Sequence, residues 1–280
     1  ANAQGASGNL TAINLGFAAD GFAAIPLMYT DVGEVRLHGT LTLPEDGNNP
    51  AITVTGASNS FVVKPYTLAV SDVSRADATA NPKTQSTGEG FVAAGEAFSV
   101  TVEARNSLGN VTPNFGNEST PQKPVLDEAD LTLQYPSGGS KGTLSGTGAF
   151  TKVSGNSGQF NNISLRWSEV GSFTIEPRLN GNKYLSAGDI VAPTSSETVG
   201  RFYPYEYVLN SATSTNACEA GGLSFSYMSD PTIGLDYQLQ ANNLGGIIVT
   251  NYDQPLGYSG TASVEYVYEN NGECLSSSGS

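Results

Sequence analysis

At 280 residues the chain is long enough for about two domains of ordinary size, and it sets 12 Lys plus Arg against 26 Asp plus Glu, a formal net charge of −14. A surface this acidic repels phosphate and anionic headgroups, which argues against nucleic-acid binding and electrostatic membrane docking. A hydrophobic content of 38% with 13 Tyr and 11 Phe separates the chain from acidic disordered tails, while 33 Gly and 14 Pro would interrupt long helices again and again, so the composition reads as all-β.

In chain order, the first strand-like passage is residues 21–39, GFAAIPLMYTDVGEVRLHG, which runs into HGTLTL. The single histidine, His38, lies in that alternating run and reads as an exposed strand residue. Residues 61–70, FVVKPYTLAV, form a Pro-containing strand, and residues 98–116, FSVTVEARNSLGNVTPNFG, alternate at period two before a turn at the Asn and Gly positions. LDEADL at 126–131 has room for one helical turn. QFNNISLRWSEVGSFTIEP at 159–177, GRFYPYEYVL at 200–209 and LDYQLQANNLGGIIVTNYD at 235–253 complete the set of strands, with Gly33 and Gly171 expected at tight turns. Short alternating runs separated by Gly, Asn, Asp and Pro predict antiparallel β-sandwiches. No run of 18 apolar residues is present, so no membrane-spanning helix is expected.

These passages match one another. Phe22, Ile25, Leu27 and Tyr29 fall on Phe160, Ile163, Leu165 and Trp167, and Thr30-Asp31-Val32-Gly33 falls on Ser168-Glu169-Val170-Gly171, at a constant offset of 138. Pro65 falls on Pro204 at 139, and Ala104, Asn114 and Phe115 fall on Ala241, Asn251 and Tyr252 at 137. Three blocks in one order predict a unit of about 138 residues used more than once. The expected organisation is a C-terminal part of one sandwich at 1–64, a complete sandwich at 65–202, and an N-terminal part of a further one at 203–280. Half a sandwich exposes an apolar face and unpaired edges. Three arrangements follow: a piece of a longer extracellular chain, pairing of the two end parts within one molecule, or completion of one molecule by the next in a head-to-tail filament.

The strings YTDVGEVRL, FVVKP, AGEAFSVTVEARNSLGNVTPNFG, WSEVGSFTI, VGRFYP, ACEAGGLSFSYM and TNYD resemble the C-terminal region of the Q component of mannose-sensitive haemagglutinin (MSHA) type IV pilus biogenesis systems, a domain of unknown function in large secreted proteins of Gram-negative bacteria. The resemblance covers roughly residues 20–255. The AGEAFSVTVEARNSLGNVTPNF passage also resembles the early strands of bacterial immunoglobulin-like modules. The resemblance implies a secreted, pilus-linked or surface-linked protein with a binding or structural role, and it implies no catalytic residue.

Few residues are available for chemistry. One His and two Cys cannot assemble a Ser-His-Asp system or a spaced zinc site. Cys218 and Cys274, an even count in a Ser-, Thr- and Asn-rich chain of secreted type, are expected to form a disulfide. In the chain-entropy picture it would add about 4 kcal/mol to the last unit. Two acidic clusters, Asp127, Glu128 and Asp130 in VLDEADL and Glu45 and Asp46 in PEDGNN, are the calcium candidates, although neither has EF-hand spacing and solvated loops are the commoner outcome. No carboxylate pair stands in an aromatic-rich stretch, so no glycosidase pair can be nominated. Tyr203, Tyr205 and Tyr207 alternate along RFYPYEYVL and are the candidate ligand-binding residues, for stacking on a host or matrix glycan, set against ordinary cross-strand packing. Trp167 reads as core, because its counterpart Tyr29 is also aromatic. The expectation is an extracellular, non-enzymatic structural or adhesive module. Its partners would be other surface or pilus proteins, the rest of a longer chain, or further copies of itself.

Overall fold

The computed structural model describes residues 12–155, 158–181, 183–190, 196–215, 218–220, 223–225, 234–253, 256–257, 267–270 and 273–276. The protein is all-β. Its strands, in order, are β1 (Gly33–Val35), β2 (His38–Leu43), β3 (Ile52–Ala57), β4 (Phe61–Val63), β5 (Thr67–Arg75), β6 (Ala97–Arg105), β7 (Pro124–Val125), β8 (Leu131–Tyr135), β9 (Leu144–Ser145), β10 (Thr151–Lys152), β11 (Gln159–Trp167), β12 (Gly171–Ile175), β13 (Arg178–Leu179) and β14 (Val199–Phe202). Then follow β15 (Glu206–Thr215), β16 (Cys218–Ala220), β17 (Leu223–Phe225), β18 (Gly234–Asn242), β19 (Val267–Asn270) and β20 (Glu273–Ser276). Helix is slight: a 3-10 turn, Glu128–Asp130, falls inside the LDEADL passage.

The central body is a sandwich. One sheet has the order β10-β11-β6-β5, with β9 added beside β11, and the other has the order β14-β12-β8; all named pairings are antiparallel. Alternation drives the closure, because Phe98, Val100 and Val102 of β6 and Leu165 and Trp167 of β11 are buried while Arg166 between them is exposed. The opposite sheet supplies Leu131, Phe173, Ile175, Val199 and Phe202. Trp167 is fully buried and meets Phe173 and Phe202 edge-on across the sandwich, with ring centroids 4.9 and 5.0 Å apart. Its indole N–H donates to the Lys141 carbonyl at 2.7 Å, so the one polar atom of the side chain is satisfied.

Simple alternation fails within β11. It puts Ile163 on the core face with Leu165 and Trp167, yet Ile163 is 73% exposed. The cause is an irregularity in the β11–β6 register between Asn162 and Leu165, which shifts the facing of the strand by one residue. Asn162 turns inward in its place, donating from Nδ2 to the Gly146 carbonyl at 2.7 Å and accepting from the Ser164 N–H and hydroxyl at 3.0 Å each.

Outside the central body, β1 pairs with β4 and the β2–β3 hairpin stands exposed along its whole length, His38 included. On the other side β15 pairs with β18. The register irregularity in β5–β6 falls between Val70 and Asp72 and that in β15–β18 between Leu209 and Ser211, positions 139 apart in the chain. Gly171 begins β12 at φ +120° rather than closing a tight turn. A Cβ there would lie 2.0 Å from the Tyr135 carbonyl oxygen, so only glycine fits this close strand approach. Gly33 begins β1 in the same way, at φ +136°.

Candidate functional site

The sequence-derived candidates are placed as follows. Tyr203, Tyr205 and Tyr207 are half-exposed but do not form one strand face. The chain breaks at Pro204 between β14 and β15, which places Tyr203 in a parallel bridge with Ala93 and its ring against Gly90, where an added Cβ would come within 2.7 Å. The Tyr205 N–H donates to the Asn242 carbonyl at 2.8 Å. Tyr207 meets Tyr252 edge-on at 5.8 Å, with the two hydroxyls hydrogen-bonded at 2.8 Å. Burial and then this hydrogen bond push the Tyr207 hydroxyl up to about 12.

The acidic cluster at 127–130 is turned onto an arginine. Arg178 Nη2 contacts Asp127 Oδ2 at 2.6 Å and Nε contacts Asp130 Oδ2 at 2.8 Å. Asp127 also caps the 3-10 turn, accepting from the Ala129 N–H at 3.2 Å. That backbone donor and then Arg178 hold the Asp127 carboxyl below the usual aspartate range. Glu45 and Asp46 are exposed in the turn of the β2–β3 hairpin, where Asp46 and Asn49 exchange backbone hydrogen bonds at 3.2 and 3.0 Å. No group of three or more His, Cys, Asp or Glu side chains suited to a metal ion occurs among the described residues. Cys218 and Cys274 fall in β16 and β20, and the expected disulfide rests on side chains outside the described residues. No described helix is long and apolar enough to cross a membrane.

The most organised polar site lies where the central sandwich meets the β15–β18 pair. Glu169, buried just after β11, makes no ion pair among the described residues. Its Oε1 accepts from the Thr250 N–H and hydroxyl at 2.9 and 2.7 Å, and its Oε2 from the Asn251 N–H at 3.1 Å. Asn251, fully buried, donates from Nδ2 to the Ser140 and Val170 carbonyls at 2.9 and 3.2 Å and accepts from the Ser140 N–H at 2.7 Å. Asn243 works in two directions. Its Oδ1 accepts from Gly245 and Ile247 N–H groups, shaping its own loop, while its Nδ2 reaches the Ser168 carbonyl at 3.1 Å. A small apolar kernel of Ala94, Val170 and Val249 closes the contact.

A sparser version of this contact occurs near the chain's other side. Asp31 Oδ1 accepts from the Asn114 N–H at 3.1 Å, and Asn106 Nδ2 donates to the Thr30 carbonyl at 2.8 Å while its Oδ1 accepts from Leu108 and Asn110. A cavity of about 330 Å³ lies beside it, lined by Tyr29, Asp31, Lys64, Tyr66 and Asn106 among others. In the sequence repeat Asp31 matches Glu169 and Asn114 matches Asn251, although none of them stands among the candidate site residues above. The available signal was an acidic residue kept before Val-Gly together with an Asn kept at the end of the paired block.

Fold and contacts together define an all-β protein in which a closed sandwich is stitched through buried polar groups to further β structure on its C-terminal side. Residues 64–163 match the family model for the second domain of DUF6701, and residues 169–280 match that for its third domain. The chain therefore carries two successive domains of the DUF6701 family, a family of unknown function. No curated protein and no solved structure matches it.

Proposed function

We propose that this chain is an extracellular, non-enzymatic structural or adhesive part of a bacterial surface protein, built from tandem immunoglobulin-like sandwiches. The observation that supports this most is the Glu169–Asn251 contact, in which buried polar groups with directional partners tie one β body to the next, as a spacer under tension needs. The pilus association rests on the sequence resemblance to the MSHA Q component. The acidic, Lys-poor composition and the expected Cys218–Cys274 bridge fit an oxidising exterior. Antibody raised against the chain and applied to intact cells tests the proposal. Labelling without permeabilisation is expected, and labelling only after permeabilisation contradicts it.

A second reading, assembly by completion between molecules, draws on a contrast in burial. Phe22, Leu27 and Tyr29 are 76, 58 and 47% exposed, whereas their counterparts Phe160, Leu165 and Trp167 are buried. On the other side Leu209 and Leu239 of the β15–β18 pair are also exposed. Light scattering after size exclusion distinguishes the readings, since concentration-dependent growth favours assembly and a constant monomer mass removes it. Glycan-array binding lost in Tyr205→Ala would instead favour a sugar-binding role for the tyrosines.

A further inference from the structure

Two places in this chain share two hydrogen bonds of the same kind. At the first, a Thr-Asp-Val-Gly segment leads into β1; at the second, a Ser-Glu-Val-Gly segment leads into β12. In each, the residue before the acid offers its carbonyl to an asparagine Nδ2, from Asn106 to Thr30 and from Asn243 to Ser168. In each, the acid accepts the N–H of a second asparagine, Asn114 to Asp31 and Asn251 to Glu169, both at 3.1 Å. The receiving loops are built alike. The first asparagine closes its own turn by accepting two N–H groups through Oδ1, and a later loop residue is held to the strand, as Thr112 N–H to the Ala104 carbonyl and Val249 N–H to the Ala241 carbonyl.

We infer that these are one device, a hook and a socket, which fixes each β unit to the next in a set orientation. The hook is Ser/Thr-Asp/Glu-Val-Gly at the start of a strand, and the socket is the loop between two asparagines, 106 to 114 or 243 to 251. This rests on the tandem-unit reading given above and adds the residues that join the units. The chemistry explains the residue types. A carboxylate can accept several N–H donors at once, and where the donors are backbone groups held by a loop the acceptor must arrive in one position. Asn251 supplies orientation as well, because its amide both donates to and accepts from Ser140 of the preceding unit, a pairing that a rotated unit would break. Gly139 leaves the space for it, since an added Cβ would stand 2.5 Å from Asn251 Oδ1. The partner that such a socket takes is another unit carrying the same hook, within one chain.

The test uses the full chain, uniformly ¹⁵N-labelled, and compares the rotational correlation time of amides in β5, β6 and β11 with that of amides in β15 and β18. The wild type is expected to show one shared value. Asn251→Ala is expected to lose it, with the β15–β18 amides tumbling faster while their chemical shifts keep their dispersion. A hook exchange, Ser168→Thr with Glu169→Asp, is expected to keep the shared value, because it writes the first hook into the second place. Shared tumbling in Asn251→Ala overturns the inference, and so does separate tumbling in the hook exchange. Collapse of β15–β18 dispersion in Asn251→Ala also overturns it, since Asn251 would then hold its own unit together rather than join two. None of these outcomes bears on where the protein resides, which the cell-labelling experiment decides.

Discussion

Glu169 accepts the backbone N–H of Asn251, 82 positions along the chain, with both residues buried. A buried carboxylate without a cation is tolerated when its lone pairs are filled by donors held in place. Removing it leaves the Thr250 and Asn251 N–H groups without their acceptor. Glu169→Ala is expected to cost about 3 kcal/mol, the range for hydrogen bonds to a charged group whose loss strands buried donors. Urea unfolding followed by circular dichroism measures it, and a cost near zero would mean that water replaces the carboxylate.

Trp167 gives the sandwich both packing and an internal reporter, being the chain's one tryptophan. Trp167→Phe leaves a cavity and an unpaired Lys141 carbonyl, and is expected to destabilise by about 2 to 4 kcal/mol. In the wild type, tryptophan emission should shift to the red in the same transition that removes the β signal. Separate transitions would contradict a single central core.

The bulge in β11 makes a paired prediction. Ile163→Ser should change stability by no more than about 0.5 kcal/mol, as for an ordinary surface position. Asn162→Ala should cost about 1 to 3 kcal/mol, because the Gly146 carbonyl loses its donor inside the protein. Chemical denaturation of the two variants checks the contrast, and the reverse order would place Ile163 in the core.

The Asp127 carboxyl is held low by the Ala129 N–H and by Arg178. A carboxyl whose folded value is depressed stabilises the fold above its ordinary value near about 4, and that stabilisation is lost as pH falls through the folded value. Carboxyl ¹³C titration should find Asp127 below the ordinary aspartate value, moving upward in Arg178→Gln. An unmoved titration would mean that Arg178 does not pair in solution. Because the guanidinium already occupies both Asp127 and Asp130, calcium and EDTA should give the same melting temperature.

Much of the architecture could be read from the residues. Gly and Pro punctuation with period-two alternation gave the strands, and the aromatic kept at positions 29 and 167 marked Trp167 as core. Ile163 could not be placed, since a bulge inverts the facing of a strand without any change in its apolar pattern. The acidic cluster looked free because Arg178 lies 51 positions from Asp127. The tyrosine row looked continuous because alternation does not register the break that Pro204 imposes. The joint was hidden for a similar reason. Glu169 and Asn251 have matched counterparts in the sequence, but only folding brings them together with Ser140.

Strands β5 to β14 close one sandwich, whose sheets run across the gap between the two matched family domains. A fragment of residues 64–163 ends inside β11, before Leu165 and Trp167, and lacks β12 and β14 altogether. Expression of residues 64–204 beside residues 64–163 tests this most directly. Cooperative unfolding and dispersed amide resonances are expected for 64–204 and neither for 64–163. Cooperative unfolding of 64–163 alone would contradict it.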